Sequence, residues 1–328
     1  MTPTQPEPGR SVRRSGRVES HRHLPPEIRD HQPFSAPENY VPQRGTDPAS
    51  STYATTSRTK LSHRLSRDQV ERIGRRLSPR DHQLLRTVQA HRLLTTDQLR
   101  RFHFQEFGSD QAAARICRRS LNRLHQMQII EHLERKIGGE RAGSAAYVWR
   151  LGLVGDRLLR LSESTSPRGR RKEPSLRWLE HCLAIADTHL QLRELDRART
   201  FQLVNVITEP ANWRPYQKPD GGPSTCKPDL AVVTASGEFE DHWFIEVDRG
   251  TESLPTLLQK CTQYLDYRAS GREQQRCGVF PRVIWIMPTT YDADRLAAAI
   301  ARTNQLPQEL FRVITQAQLG SVIEQGAA

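Results

Sequence analysis

The chain has 328 residues and a formal net charge of +12, length enough for two modest domains and a tail. Residues 1–76 carry +6, residues 77–173 carry +9 and residues 174–328 carry −3, so a basic region of the kind that meets nucleic acid precedes a mildly acidic one. The five cysteines (Cys117, Cys182, Cys226, Cys261, Cys277) are scattered without a Cys-x-x-Cys pair, which argues against a zinc ribbon or a disulfide framework; no apolar run approaches the roughly 18 residues of a membrane span, so a cytoplasmic protein without a membrane segment or signal peptide is expected.

Residues 1–74 are rich in Pro, Ser, Arg, His and Thr and lack periodic apolar positions. Such a stretch cannot bury enough surface to offset its ordering entropy, and a disordered basic tail is expected. Order is expected to begin near Leu77, where Ser78 and Pro79 form an N-cap and first helical position, and the helix runs to about His91 with Leu84, Leu85 and Val88 on one face. A short helix follows Thr95-Thr96-Asp97 through Leu99 and Phe102, and a third spans about Ser109 to Met127 with Ile116, Leu121, Leu124 and Met127 at helical spacing. Residues 129–137 and 145–151 read as strands joined by a glycine-rich tip. Three helices and a hairpin predict a winged helix-turn-helix over residues 75–162, followed by a Ser- and Arg-rich linker over 163–174.

The third predicted helix places Arg115, Arg118, Arg119, Asn122 and Arg123 at i, i+3, i+4, i+7 and i+8, on the face opposite its apolar stripe. Guanidinium donors arranged this way suit bidentate contact with guanine or phosphate, and Arg135, Lys136 and Arg141 add a basic wing. A solvated helix face, or a surface that dimerises or binds protein, is the competing reading.

Residues 175–320 predict a second domain: a helix over 175–198, a strand over 201–207, an irregular segment around Trp213 to Thr225, strands over 229–234 and 242–247 joined by a polar turn, a helix over 254–269, a strand over 282–287, a helix over 292–303 and a last strand over 311–315. The order is that of an αβββαβ core, so the fold class is α/β (α+β) throughout. Antiparallel pairing of the middle strands brings Asp229, at the start of one, beside Glu246, near the end of the other. Asp248, two residues on, shares the sheet face of Glu246. Converging carboxylates of this kind hold Mg²⁺ or Mn²⁺ in metal-dependent phosphodiesterases. A lysine normally sits two residues after the glutamate; this chain has Asp248 there, and Lys260, on the next helix with Tyr264 one turn on, is the candidate ammonium. Glu180, beside His181 on the first long helix, is a candidate third metal ligand, while His181 itself reads as a packed or capping histidine. Thr251-Glu252 reads as a helix start, and Trp213, Trp243 and Trp285 as core.

Trp178-Leu-Glu-His-Cys-Leu-Ala-Ile-Ala-Asp, Lys227-Pro-Asp-Leu and Phe244-Ile-Glu-Val-Asp-Arg-Gly-Thr-Glu, with Lys260 and Tyr264 following, resemble the replication-relaxation family over about residues 77–315. The resemblance implies plasmids and integrative elements of actinobacteria and other Gram-positives, a role in plasmid replication and DNA relaxation, and a carboxyl-terminal domain similar to PD-(D/E)xK nucleases. Carried over, Asp229 is the first motif carboxylate and Glu246 the second, and Asp248 departs from the nuclease lysine. Two functions remain open on the sequence: a Mg²⁺-dependent endonuclease or nickase, and a non-catalytic accessory that binds double-stranded DNA. Replication or transfer proteins and a second copy of the chain are the further partner classes.

Overall fold

The computed structural model describes residues 65–134, 147–163 and 172–327, together with the backbone of a short strand, β1 (Arg17–Glu19). It is a mixed α/β protein with, among the described residues, ten α-helices and mixed sheets. The chain folds as two compact units, residues 28–190 and residues 191–328 with 1–27; the division falls inside one long helix.

The first unit opens with α1 (Arg67–Arg75), ahead of the expected start of order. Ser66 and Gln69 cap it reciprocally, and Val70 is buried on its inner side. Helix α2 (Pro79–His91) begins at the expected Ser78-Pro79 signal, where Asp81 accepts from both the N–H and the hydroxyl of Ser78. Strand β2 (Leu94–Thr95), α3 (Thr96–His103) and α4 (Asp110–Gln126) follow, then β3 (Ile130–His132) and β4 (Val148–Leu151). β4 lies between β2 and β3, antiparallel to both, with Trp149 opposite Leu94 and His132. The predicted hairpin tip falls outside the described residues.

Helix α5 (Leu153–Glu163) fills the stretch between the predicted hairpin and the predicted linker, for which no element was expected. It turns off β4 against the backbone of residues 128–129, with Gly152 N–H donating to Ile129 O (2.7 Å) and Val154 N–H to Gln128 O (3.0 Å). A Cβ on Gly155 would stand 2.2 Å from Ile129 O and 2.9 Å from Leu85 Cδ1, so only a hydrogen fits there. The apolar faces of α2, α3, α4 and the small sheet close one core around Leu84, Leu99, Cys117, Leu121 and Trp149. Residues 176–190 of α6 (Leu176–Arg197) join it through Ala186 and Leu190, and the Gln98 amide donates to Leu183 O (2.9 Å) and Asp187 Oδ1 (2.8 Å). His91 is buried nearby with Nε2 3.0 Å from His189 Nδ1; burial first, and then the charge of Arg92, push its imidazole down to about 3, so it packs as a neutral ring.

The second unit is built on a six-stranded sheet. Five of its strands are β5 (Gln202–Thr208), β8 (Leu230–Ser236), β9 (Phe239–Val247), β10 (Arg282–Met287) and β11 (Phe311–Thr315), lying in the order β11-β10-β9-β8-β5. The sixth, β1, pairs with the first residues of β9. β5, β8 and β9 are antiparallel and β9, β10 and β11 parallel, the αβββαβ order expected. β10 reads Arg-Val-Ile-Trp-Ile-Met and is buried at every position, as a strand covered on both faces must be. α7 (Leu254–Ala269) and α9 (Thr290–Arg302) pack Tyr264, Leu257 and Leu296 against Phe244 and Trp285. The segment expected to be irregular contains a hairpin, β6 (Arg214–Gln217) with β7 (Pro223–Cys226); its strands are short and carry prolines, which hid the alternation. α8 (Arg272–Cys277) and α10 (Leu319–Gln325) are likewise additions to the predicted set.

Trp243 and Trp285 are core, as expected, whereas Trp213 is half-buried with Lys227 Nζ 4.5 Å from its ring centroid. None of the five cysteines forms a disulfide, and four of them are buried. Gly155→Ala is expected to destabilise the first unit by about 1–3 kcal/mol through overpacking against Ile129, read as a lower urea midpoint; an unchanged midpoint would mean that α5 docks more loosely than the structure has it.

Candidate functional site: a buried carboxylate pair with a helix-borne lysine

The register of β8 on β9 pairs Leu230 with Ile245, so Asp229, one residue before β8, stands opposite Glu246. Asp229 N–H donates to Ile245 O (3.1 Å), and its Oδ2 accepts from Val247 N–H (2.7 Å), so the carboxylate takes the place of a ladder acceptor where the strand begins. The turn before it is held from two sides. Asn212, fully buried, donates from Nδ2 to Pro228 O (2.8 Å), and Glu209 N–H donates to Asp229 O (3.1 Å). The carboxylate oxygens of Glu209 and Asp229 lie within 4.8 Å of each other.

Glu246 is 4% exposed. The Tyr264 hydroxyl donates to its Oε1 (2.6 Å), and Lys260 Nζ stands 3.8 Å from Oε2. Burial pushes the Glu246 carboxyl up to about 8, with the Asp229 charge adding to the rise and Lys260 opposing it. Burial also works against the Lys260 charge, yet Glu246, Glu252 and Asp229 outweigh it and hold the ammonium above its ordinary range. Lys260 additionally donates to Glu252 Oε1 (3.1 Å) and lies 5.8 Å from the Trp285 ring centroid.

The structure places Lys260, on α7, beside Glu246. Asp248 has another task. It follows β9, donates its N–H to Ile286 O (3.0 Å), and its Oδ2 accepts from Gly250 N–H (3.1 Å), closing a turn in which Gly250 has φ +72°. Thr251-Glu252 is not the helix start, because Ser253 caps α7 and Glu252 is a partner of Lys260 instead. Glu252, Tyr264 as the donor to Glu246, Asn212 and Glu209 are the site residues that sequence reasoning missed or left unassigned. The second Glu of Glu-x-Asp-Arg-Gly-Thr-Glu, eight residues before the lysine, is the signal that could have found Glu252. Glu180 lies on α6 within residues 176–190, in the part of that helix that belongs to the first unit.

Residues 85–283 match the family model described as replication-relaxation. The chain belongs to the replication-relaxation family. The matched span runs from within α2 to the start of β10 and so contains α4, the Asp229–Glu246 pair and Lys260 of this replication-relaxation protein. No curated protein and no solved structure is detectably similar to it.

On α4, Arg115, Arg118, Arg119, Asn122 and Arg123 are all exposed, while Ala113, Cys117, Leu121 and Leu124 are buried, so the two faces divide as the spacing predicts. Arg123 has a structural partner. Its guanidinium donates to Asp81 Oδ1 at 2.6 Å, joining the end of α4 to the start of α2. Burial alone would raise the Asp81 carboxyl, but Arg123 and Ser78 outweigh it and hold it below its ordinary range. Arg135, Lys136 and Arg141 lie outside the described residues. Among the described residues, no helix is long and apolar enough to cross a membrane.

The raised Glu246 carboxyl sets a pH dependence with a definite sign. The folded protein keeps a proton that the unfolded chain releases near pH 4.5, so this contribution to stability is complete below that value and is lost as pH rises through about 8. Glu246→Gln, neutral at every pH, is therefore expected to match wild type below about pH 5, to exceed it progressively as pH rises from there to about 8, and to keep a constant advantage above that, by about 1.4 kcal/mol for each pKa unit realised. Urea titrations of the metal-free protein across this range check it; parallel curves for the two proteins would contradict the buried, protonated Glu246.

Proposed function

We propose that this replication-relaxation protein binds double-stranded DNA of a plasmid or mobile element and nicks it, using a PD-(D/E)xK-like second unit that takes Mg²⁺ or Mn²⁺. The observation that carries the reading is Lys260 Nζ, 3.8 Å from Glu246 in a site where Asp229 faces Glu246 across a strand pair. Two strand-borne carboxylates and one ammonium are the charge set that phosphodiester hydrolysis needs, and here the ammonium arrives from α7.

The donor set suits a hard divalent cation. Asp229 and Glu246 offer carboxylate oxygen, Glu209 stands within reach of Asp229, and a cation would relieve the burial and repulsion that push the Glu246 carboxyl up. When bound, such an ion supplies charge neutralisation and lowers the pKa of water. The chain's own residues do the rest. Tyr264 fixes the Glu246 carboxyl through Oε1, and Val247 N–H fixes that of Asp229. Lys260 presents a positive charge where negative charge develops on the phosphate oxygens and donates to the attacking water. Asp248, committed to the Gly250 turn, takes no part.

The first unit supports the DNA-binding half of the reading. α2, α3, α4 and the β2-β4-β3 sheet follow each other as in a winged helix-turn-helix, with α4 as the recognition helix and Arg115, Arg118, Arg119 and Asn122 as the groove-facing donors. Arg123 serves the α2–α4 joint instead. The wing residues Arg135, Lys136 and Arg141 would add phosphate contacts. A second reading, a non-catalytic accessory that holds DNA and recruits replication or transfer proteins, is favoured by Asp248 at the position of the missing lysine.

Supercoiled plasmid incubated with the full chain and Mn²⁺ or Mg²⁺ separates the two. Nicking that Asp229→Ala and Glu246→Ala abolish establishes the nuclease, whereas intact binding without nicking establishes the accessory. Independently, replacing Arg115, Arg118 and Arg119 by Ala is expected to weaken DNA binding and to flatten the log K against log salt slope by about 0.9 for each phosphate no longer neutralised. An unchanged slope would remove α4 from the interface.

A further inference from the structure

The loop between β9 and α7 contains more chemistry than a metal ligand and a helix cap require. Residues 248–252 leave the sheet through a turn closed by Asp248 on Gly250 N–H, and the turn delivers Glu252 to the cation. Glu252 Oε1 accepts from Lys260 Nζ at 3.1 Å, a shorter contact than the 3.8 Å that separates Nζ from Glu246. Its Oε2 is buried and has no hydrogen-bond partner among the described residues. A long, flexible lysine on a helix has four rotatable bonds and no strand geometry to aim it. The Trp285 ring centroid and Glu246 Oε2 lie 5.8 Å and 3.8 Å from Nζ, and neither holds it as closely as Glu252 does.

We propose that Glu252 is the positioning residue for Lys260: it anchors the ammonium of a lysine displaced from β9 to α7, so that the cation stays beside Glu246. The inference rests on the nuclease reading for its purpose, though not for its geometry. A strand-borne lysine two residues after Glu246 would be aimed by the pleat; at that position Asp248 instead builds the turn that brings the anchor into place. Both the substitution at 248 and the acidic residue at 252 then belong to one rearrangement of the site.

The test has two readouts on the full chain. In protein carrying ¹⁵N-labelled lysine, held at one pH near neutrality, the Lys260 ammonium resonance is identified by its loss in Lys260→Arg. It is expected to be restrained by hydrogen bonding in wild type and to lose that restraint in Glu252→Gln, with Glu252→Ala as a second variant in case the first melts early. In the nicking assay, Glu252→Gln is expected to slow cleavage by about tenfold to a hundredfold with Mn²⁺ affinity retained. The double variant Glu252→Gln/Lys260→Ala should be no slower than Lys260→Ala, because Glu252 acts through the lysine. An ammonium resonance indifferent to Glu252, or losses that multiply in the double variant, would overturn the proposal. Wild-type protein that shows the restrained ammonium but cuts nothing would refute the nuclease reading and leave the anchoring of Lys260 standing.

Discussion

Two carboxylates placed face to face inside a sheet repel each other and lose their hydration, and the second unit is arranged around that constraint. Asp229 is stabilised by a backbone N–H from the neighbouring strand, Glu246 by a tyrosine hydroxyl, and both lie near the charge of Lys260. The supports come from separate parts of the chain. Asn212 and Glu209 fix the turn that presents Asp229, α7 contributes Tyr264 and Lys260 one turn apart, and β10 puts the Trp285 ring beneath the ammonium. A group held protonated by burial is a poor ion pair but a good site for a divalent cation, since the cation offsets the desolvation that a monovalent partner only partly counters.

Much of this was legible in the sequence because it depends on local signals. Ser78-Pro79, Thr95 and Ser109 mark helix starts by side-chain capping, which acts within three residues, and each caps the helix expected. The α7 and β10 boundaries follow from apolar patterning and coincide with the prediction. The Asp229–Glu246 juxtaposition follows from antiparallel pairing alone. What escaped depended on distant partners. α5 has its place because Gly152 and Gly155 allow close approach to residues 128–129, and no pattern within α5 encodes that approach. The β6–β7 hairpin has too few alternating positions to register, and the pairing of Glu252 with Lys260 spans a turn whose geometry depends on Asp248 and Gly250.

The α4 face shows the same division between pattern and partner. Helical spacing sorted its exposed cations from its buried residues correctly, because that is a property of one helix. It could not tell Arg123 from Arg119. The difference lies in Asp81, forty-two positions earlier, whose carboxylate closes the cap of α2 and receives the guanidinium of α4. One basic residue of the face is thereby part of the scaffold, while Arg115, Arg118 and Arg119 are exposed beside it.

The lysine on α7 also separates what a strand-borne lysine would join. A cation within β9 would share its backbone register with Glu246, and removing it would disturb a strand buried on both sides. Lys260 projects from a helix and is about one-third exposed, so losing it changes no ladder hydrogen bond and opens no core cavity. In the nuclease proposed above, one codon would therefore separate cutting DNA from holding it while the fold stays whole.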